Sequence, residues 1–427
     1  VQQGKLTITD TLGLGFMTFA FFLGAGNLIF PPMAGLLSGQ DMLLTMLGFL
    51  LTAVGLPLIA LIAVAKSGGK IFSMLPVAMA TGLASAIYII IGPAFAAPRT
   101  GLVAYEIGAV PFISDPNETT QLLFTLLFFA VSLLLALKPG KLLDTVGKML
   151  TPILIILLTV LAASVVFFDG AAAPVAAEGY KDAPFVKGFL DGYNTMDTLA
   201  SLLFGMLIID ILKTKGITEA DAQAKYLVWA GIIAAIGLAY VYISLFVLGS
   251  HAAGLAPDAT NGGEILSIYV FNVFGDAGQI ILAAVVSLAC LTTAVGLISA
   301  CSDFFGGLFP KIGYQKFTVL FSAICALVAN VGLEQLIAIS VPVLYTVYPV
   351  AIALVVVTFF NNYFGDPKSS HRVIISTALF YGALDGLAAA GVDTSFMKNM
   401  MDSSLGWVVP VSLVLVIMYL LNKKKEY

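Results

Sequence analysis

Apolar residues along this chain come in long unbroken runs, and the polar positions collect in short gaps between them. The windows 42–65, 121–137, 151–168, 226–249 and 407–421 carry almost no charge. A helix needs roughly 20 mainly apolar residues to cross about 30 Å of hydrocarbon, and these runs approach or meet that length. Length, charge and loop punctuation together predict twelve spans: about 11–37, 42–65, 76–105, 120–137, 144–168, 186–212, 224–249, 277–305, 315–332, 335–361, 372–390 and 405–421. The third and eighth windows are long enough to require tilt, or helix outside the bilayer. The stretch 265–274 is too short to cross and reads as a re-entrant or interfacial segment. Every loop is short, which leaves no soluble domain. The polar start leads into a run too long for the apolar core of a signal peptide, so the first span is expected to be retained.

Composition agrees with the pattern. Hydrophobic residues make up 60% of the 427 positions and charged residues 10%, against about 25% charged in soluble proteins. The expectation is an all-helical integral membrane protein whose outer surface meets lipid. A net charge of −4, with no basic block along any loop, gives no footing for a nucleic-acid partner. The three cysteines, Cys290, Cys301 and Cys325, lie in apolar stretches and read as small core residues rather than a disulfide framework.

Charge also orients the spans. With twelve spans, sixteen lysines and arginines fall on the side of the N-terminus, from Lys5 to Lys423–Lys425. Four fall on the other: Arg99, Lys181, Lys187 and Lys398. Loops on that poorer side are acidic, with Asp115, Glu118, Asp169, Glu178, Asp258, Asp393 and Asp402. The excess of Lys and Arg on cytoplasmic loops then puts both termini in the cytoplasm of a bacterial inner membrane.

Function is sought where helices break at depth, because backbone freed there must be satisfied by protein, water or a ligand. The first span carries Phe22-Leu23-Gly24-Ala25-Gly26-Asn27 near its centre, then Pro31-Pro32. Glycines flanking Ala25 permit backbone angles that other residues resist. A break there aims carbonyls one way, toward a cation, and amides the other way, toward a carboxylate. The sixth span repeats the pattern in Asp191-Gly192-Tyr193-Asn194-Thr195-Met196-Asp197. Five spans separate the two breaks, so a second copy of the unit would be inserted upside down. Paired broken helices in inverted repeats mark a binding site at the midplane. Glycine is also common in membrane helices, so either break alone could serve packing.

Other polar positions carry weaker signals. In the eighth span, Ala289-Cys290-Leu291-Thr292-Thr293 offers two hydroxyls and a carbonyl, hard oxygen ligands for a small cation; the bland reading is that each Thr bonds its own helix. Ser340, Pro342, Tyr345, Tyr348 and Pro349 predict a kinked tenth span that acts as a gate. Asp197 is the foremost ionisable candidate at depth, for a substrate ammonium, a cation, a proton or a structural partner. Arg99 and Glu106, seven residues apart toward the outer end of the third span, read as a vestibule pair or interface anchors. Asp210 and Asp303 read as contacts at cytoplasmic ends. The two histidines, His251 and His371, fall in loops on opposite sides, with no nucleophile or metal constellation at the midplane, which argues against a membrane enzyme. A channel would more often be built from symmetric subunits.

The segments Gly15-Phe16-Met17-Thr18-Phe19-Ala20-Phe21-Phe22-Leu23-Gly24-Ala25-Gly26-Asn27-Leu28-Ile29-Phe30-Pro31-Pro32 and Gly92-Pro93-Ala94-Phe95-Ala96-Ala97-Pro98-Arg99-Thr100 resemble the bacterial branched-chain amino acid carriers, the leucine/isoleucine/valine:cation symporter family. The resemblance runs through essentially the whole chain. It implies a LeuT-type fold of five plus five inverted helices with two trailing: a first repeat over about 11–168, a second over about 186–361, and extra helices over about 372–421. It further implies that amides of Ala25 and Gly26 receive the substrate carboxylate beside Asn27. Sodium, the implied coupling ion, falls to the carbonyls of Ala20 and Leu23 with Ala289, Thr292 and Thr293. Oxygens of Tyr193, Asn194 or Asp197 are left for the ammonium. The sixth span departs from the LeuT pattern, for Asp197 has no counterpart there. A proton-coupled carrier working through Asp197 is the alternative.

Overall fold

The computed structural model describes residues 5–138, 141–167, 174–394 and 405–421, and most of these are helical. Asp169, Lys398, Asp402 and Lys423–Lys425 of the charge pattern lie outside the described residues. In chain order the helices are α1 (Ile8–Phe22), α2 (Ala25–Ser38), α3 (Met42–Leu50), α4 (Leu56–Lys66), α5 (Val77–Ile89), α6 (Ala96–Gly108), α7 (Glu118–Ala136), α8 (Thr151–Phe167), α9 (Glu178–Lys181), α10 (Pro184–Asp191), α11 (Asp197–Thr214), α12 (Ala220–His251), α13 (Gly262–Leu308), α14 (Gly313–Val328), α15 (Leu333–Phe360), α16 (Pro367–Ala389) and α17 (Val408–Leu421). Each of the twelve windows expected from the sequence holds helix.

Among the described residues, eight helical stretches are long and apolar enough to cross a membrane, or nine if the bent pair α10 and α11 forms one span. Three further apolar helices, α1, α14 and α17, are shorter. Leu123, Leu127 and Leu134 line one side of α7 at 62%, 65% and 67% exposure. An apolar face of that kind has no place against water, and lipid is the solvent that suits it. This is a multi-pass, all-helical membrane protein.

Three helix interruptions shape the centre. Between α1 and α2, Leu23 (φ −71°, ψ 79°) and Gly24 (φ −109°, ψ −162°) leave the helix. Between α10 and α11 a single 3₁₀ turn, Gly192–Thr195, precedes Met196, and the axis bends by 41°. Between α5 and α6, Gly92 turns to ψ −112° inside a π-type turn, ahead of Pro93. Cys301 of α13 fits against Gly92, where any Cβ would collide with its sulfur, and its thiol donates to the Tyr88 carbonyl at 3.2 Å. That contact satisfies backbone that the break sets free.

Close helix contacts hold these breaks in place. α10 lies along α3, with Gly48 against the Phe185 carbonyl and Gly188 against the Thr45 carbonyl, positions where a Cβ would overlap backbone. Small residues let membrane helices approach this closely. Thr52, just beyond α3, donates to the Phe189 carbonyl at 2.8 Å and accepts at its own carbonyl from Thr198 at 3.2 Å, so one helix grips both sides of the second break. We expect Gly188→Val to cost ~3 kcal/mol or more through overpacking and to abolish the monodisperse carrier in fluorescence-detected size-exclusion chromatography. Gly179→Ala, whose added carbon meets only Lys187 atoms at 3.7 and 4.0 Å, should behave as wild type.

The tenth span, α15, runs continuously through Pro342 and Pro349, since the loss of one amide per proline can be absorbed by neighbouring groups in a membrane bundle. Residues 265–274 fall in the first part of α13, but Gly275 at φ +61° and ψ −149° leaves the helical region and kinks it there, so they form a short helix of their own ahead of the long one. Other expectations need correction. His251 closes α12 and His371 is buried in the first turn of α16, so neither lies in a loop. All three cysteines are buried free thiols, as expected.

Candidate functional site

The first and second breaks meet. Asn27, in the first turn of α2, turns its side-chain oxygen back to the Gly24 amide at 3.1 Å. Its Nδ2 donates to both oxygens of Asp197, at 2.9 and 2.7 Å, and also lies against the Tyr242 hydroxyl. Tyr242, on α12, donates to Asp197 Oδ2 at 2.6 Å, while its ring packs edge-on to Phe49. Asp197 is the first residue of α11, where the positive end of the helix dipole favours a carboxylate. Asn27, Asp197 and Tyr242 are at most 2% exposed.

Close approach, rather than unusual backbone angles, accounts for the glycines of both breaks. A Cβ on Gly24 would sit 2.8 Å from the Thr293 methyl, one on Gly26 3.0 Å from the Asn194 carbonyl, and one on Gly192 2.6 Å from Thr52. None of the three has a positive φ. The left-handed position of the second break falls instead to Met196 at φ 64°, the one non-glycine in that region among the described residues. Backbone strain of this kind costs on the order of 1–3 kcal/mol and collects at functional sites.

The end of α1 meets α13 at a cluster of oxygens. Thr292 and Thr293 hydroxyls both reach the Ala20 carbonyl, at 3.1 and 3.0 Å, and Thr292 also bonds Ala289 at 3.0 Å. Leu23 closes the same turn of α1, its amide held by Phe19. The expected set Ala20, Ala289, Thr292 and Thr293 is therefore brought together, with Leu23 three residues after Ala20 at the end of α1. It contains no carboxylate, and no group of three or more His, Cys, Asp or Glu suited to a metal occurs among the described residues. Neutral oxygens of this kind match a hard cation of low charge better than a transition metal.

Between the breaks lies a small cavity of about 20 Å³. Ala25, Gly26 and Asn27 of α2, Asp197 of α11 and Thr293 of α13 line it, with Phe21, Phe22, Ile91, Phe204 and Leu297 as apolar walls. Tyr193 and Asn194 are not in that lining. The Tyr193 ring is stacked on Tyr348, centroids 4.0 Å apart, and its carbonyl accepts from Met196 at 3.0 Å. The Asn194 carbonyl is taken by Arg99. Each carbonyl holds one donor and keeps a second acceptor position, and Asn194 Oδ1 is buried without a hydrogen-bond partner among the described residues.

Arg99 is the larger correction. Far from a vestibule or an interface, it is 2% exposed and lines the central cavity beside Gly26. Nη1 donates to the Asn194 carbonyl at 2.8 Å and Nη2 to Ser340 at 2.9 Å, which ties α6 to the second break and to α15. Glu106 does not pair with it; that side chain lines a separate cavity with Glu264 and Glu334. Ser340 and Tyr348, read from the sequence as parts of a gating helix, meet the site through Arg99 and Tyr193, and Tyr242 is a further participant that sequence reasoning did not single out.

Residues 7–425 match the family described as branched-chain amino acid transport protein. The chain belongs to that family. It is 44% identical over 429 residues to the branched-chain amino acid transport system 2 carrier protein of Pseudomonas aeruginosa, covering 98% of each chain. It is 41% identical over 424 residues to the branched-chain amino acid permease BrnQ of Escherichia coli K12, covering 97% of this chain and 95% of that one. The architecture is LeuT-like: MhsT in complex with L-phenylalanine superposes with a TM-score of 0.58 at 17% identity, covering 96% of this carrier and 98% of MhsT. This carrier is a transport protein, not an enzyme.

Proposed function

We propose that this carrier imports leucine, isoleucine and valine by sodium symport through alternating access. The observation that carries the proposal is the convergence of Thr292 and Thr293 on the Ala20 carbonyl, directly behind a cavity lined by the amide end of α2. The twelve helical windows are read as twelve spans: a five-plus-five inverted repeat over about 11–168 and 186–361, then two trailing helices. Both termini are assigned to the cytoplasm of a bacterial inner membrane, from the lysine and arginine asymmetry.

In this reading the substrate carboxylate docks on the amides of Ala25 and Gly26, which lead α2 and have no intrahelical acceptors. The ammonium faces Asp197, since a carboxylate has about four acceptor positions and Asn27 and Tyr242 use only three. The aliphatic side chain meets Phe21, Phe22, Phe204 and Leu297. Such walls separate one methylene by only about 1–3 kcal/mol, which is why all three branched-chain amino acids are accepted. Sodium is the co-substrate at Ala20, Leu23, Ala289, Thr292 and Thr293. It bridges α1 to α13, and its inward gradient drives accumulation.

A second reading has its own support: Asp197 is a buried carboxylate in the cavity wall and could exchange a proton instead. Radiolabelled leucine uptake into proteoliposomes separates the two. An imposed inward sodium gradient should drive concentrative uptake, and a proton gradient alone should not. Accumulation driven by protons in sodium-free buffer would move the coupling to Asp197.

A further inference from the structure

The central cavity has two charged side chains in its lining, Asp197 and Arg99. The carboxylate is supplied with donors by Asn27 and Tyr242. The guanidinium is not matched in the same way. Both its contacts, the Asn194 carbonyl and the Ser340 hydroxyl, are neutral. Its Nε, buried with the rest of the side chain, has no partner, and no aspartate or glutamate pairs with it among the described residues. The face of Phe30 also lies near, 5.5 Å from the guanidinium carbon. A buried cation without a counter-ion is costly in a membrane protein, and such residues mark substrate paths.

What stands beside that cation is the amide end of α2. A Cβ on Gly26 would lie 3.4 Å from Arg99 Nη1, so the second residue of α2 and the guanidinium border the same point. Two independent sources of positive potential converge there, one from the helix end and one from a full charge.

We infer that Arg99 is the counter-charge for the carboxylate of the transported amino acid, completing the receptor begun by Ala25 and Gly26. The inference rests on the proposed amino acid site and adds a specificity rule to it. An ionised carboxylate is recognised by the planar fork of an arginine, which a lysine does not reproduce. Branched-chain compounds that keep the aliphatic side chain and the ammonium but lack the carboxylate are excluded.

The test is equilibrium binding of leucine and of leucinamide to the purified full chain, by isothermal titration, in wild type, Arg99→Gln, Arg99→Lys and Ser340→Ala. Wild type should prefer leucine by on the order of 100-fold, the range expected when one member of a buried, hydrogen-bonded charge pair is removed. Arg99→Gln should collapse that preference to within about threefold by weakening leucine alone, and Arg99→Lys should restore part of it. Ser340→Ala should keep it. A purely structural strut predicts something else: Arg99→Gln and Ser340→Ala would weaken both ligands together at an unchanged ratio, and that result would overturn the inference. Should Arg99→Gln fail to fold, wild type alone decides, because equal affinity for leucine and leucinamide overturns it as well. Failure of wild type to bind leucine at all would instead remove the proposed function, and the inference with it.

Discussion

Removing both hydroxyls, in Thr292→Ala combined with Thr293→Ala, is expected to abolish the sodium dependence of leucine uptake. The two oxygens reach the same acceptor, the Ala20 carbonyl at the end of α1, from one turn of α13. Without them that site keeps only backbone carbonyls. A hydrogen bond to a charged group contributes about 1.5–3 kcal/mol; taking each hydroxyl–cation contact as similar, losing two weakens sodium on the order of 10²- to 10⁴-fold. Sodium stimulation should therefore vanish at any attainable concentration. Burial makes a control necessary, since Thr292 is fully buried and a truncation also leaves a small void. Thr292→Ser with Thr293→Ser keeps both hydroxyls while losing both methyls, so it should retain sodium stimulation. If the alanine pair still shows stimulation at the wild-type sodium concentration, the coupling ion is not held at this site.

These predictions draw on parts of the molecule that the sequence exposes unequally. The two breaks were legible because glycine and asparagine stand out inside apolar runs, and Asn27 and Asp197 do meet. The reason for the glycines was misread: the chain buries Thr293, Asn194 and Thr52 against them, and such contacts between distant helices have no local signature. Arg99 was visible but misplaced in depth. Counting from the start of a long window puts it near the outer end, whereas the turn at Gly92–Phe95 makes α6 a new helix with Arg99 close to its beginning. Tyr242 could not be picked out, because one tyrosine among the apolar residues of α12 looks like any other until Asp197 is found beside its hydroxyl.

Asp197→Asn is expected to lower leucine uptake at least 100-fold and to destabilise the carrier, although the two side chains have nearly the same shape. Asn27 Nδ2 lies 2.9 Å from one Asp197 oxygen and 2.7 Å from the other, and Tyr242 donates to the second. An asparagine there has one oxygen and one NH₂, so at least one buried donor must face another donor. Leaving a buried donor unpaired costs about 1–3 kcal/mol, and the lost charge-assisted bonds cost about 1.5–3 kcal/mol each. Tyr242→Phe removes the bond to Asp197 and the contact with Asn27 but keeps the carboxylate, and should have the smaller effect, near tenfold. The exchange Asn27→Asp with Asp197→Asn separates this fastening role from a proton-carrying one. Aspartate at 27 can still accept from the Gly24 amide, and asparagine at 197 can donate to it while accepting from Tyr242. Thermal stability and leucine counterflow should thus be partly restored in the exchanged pair, relative to either single substitution. Asn27→Asp alone sets two carboxylates face to face and should be the least stable of the set. A carboxylate whose only duty is to carry a proton predicts a different pattern: Asp197→Asn would keep full counterflow, which needs no net ion movement, and lose only accumulation against a gradient. Loss of counterflow together with accumulation therefore assigns Asp197 to holding the two helix breaks and the substrate ammonium, and intact counterflow assigns it to coupling.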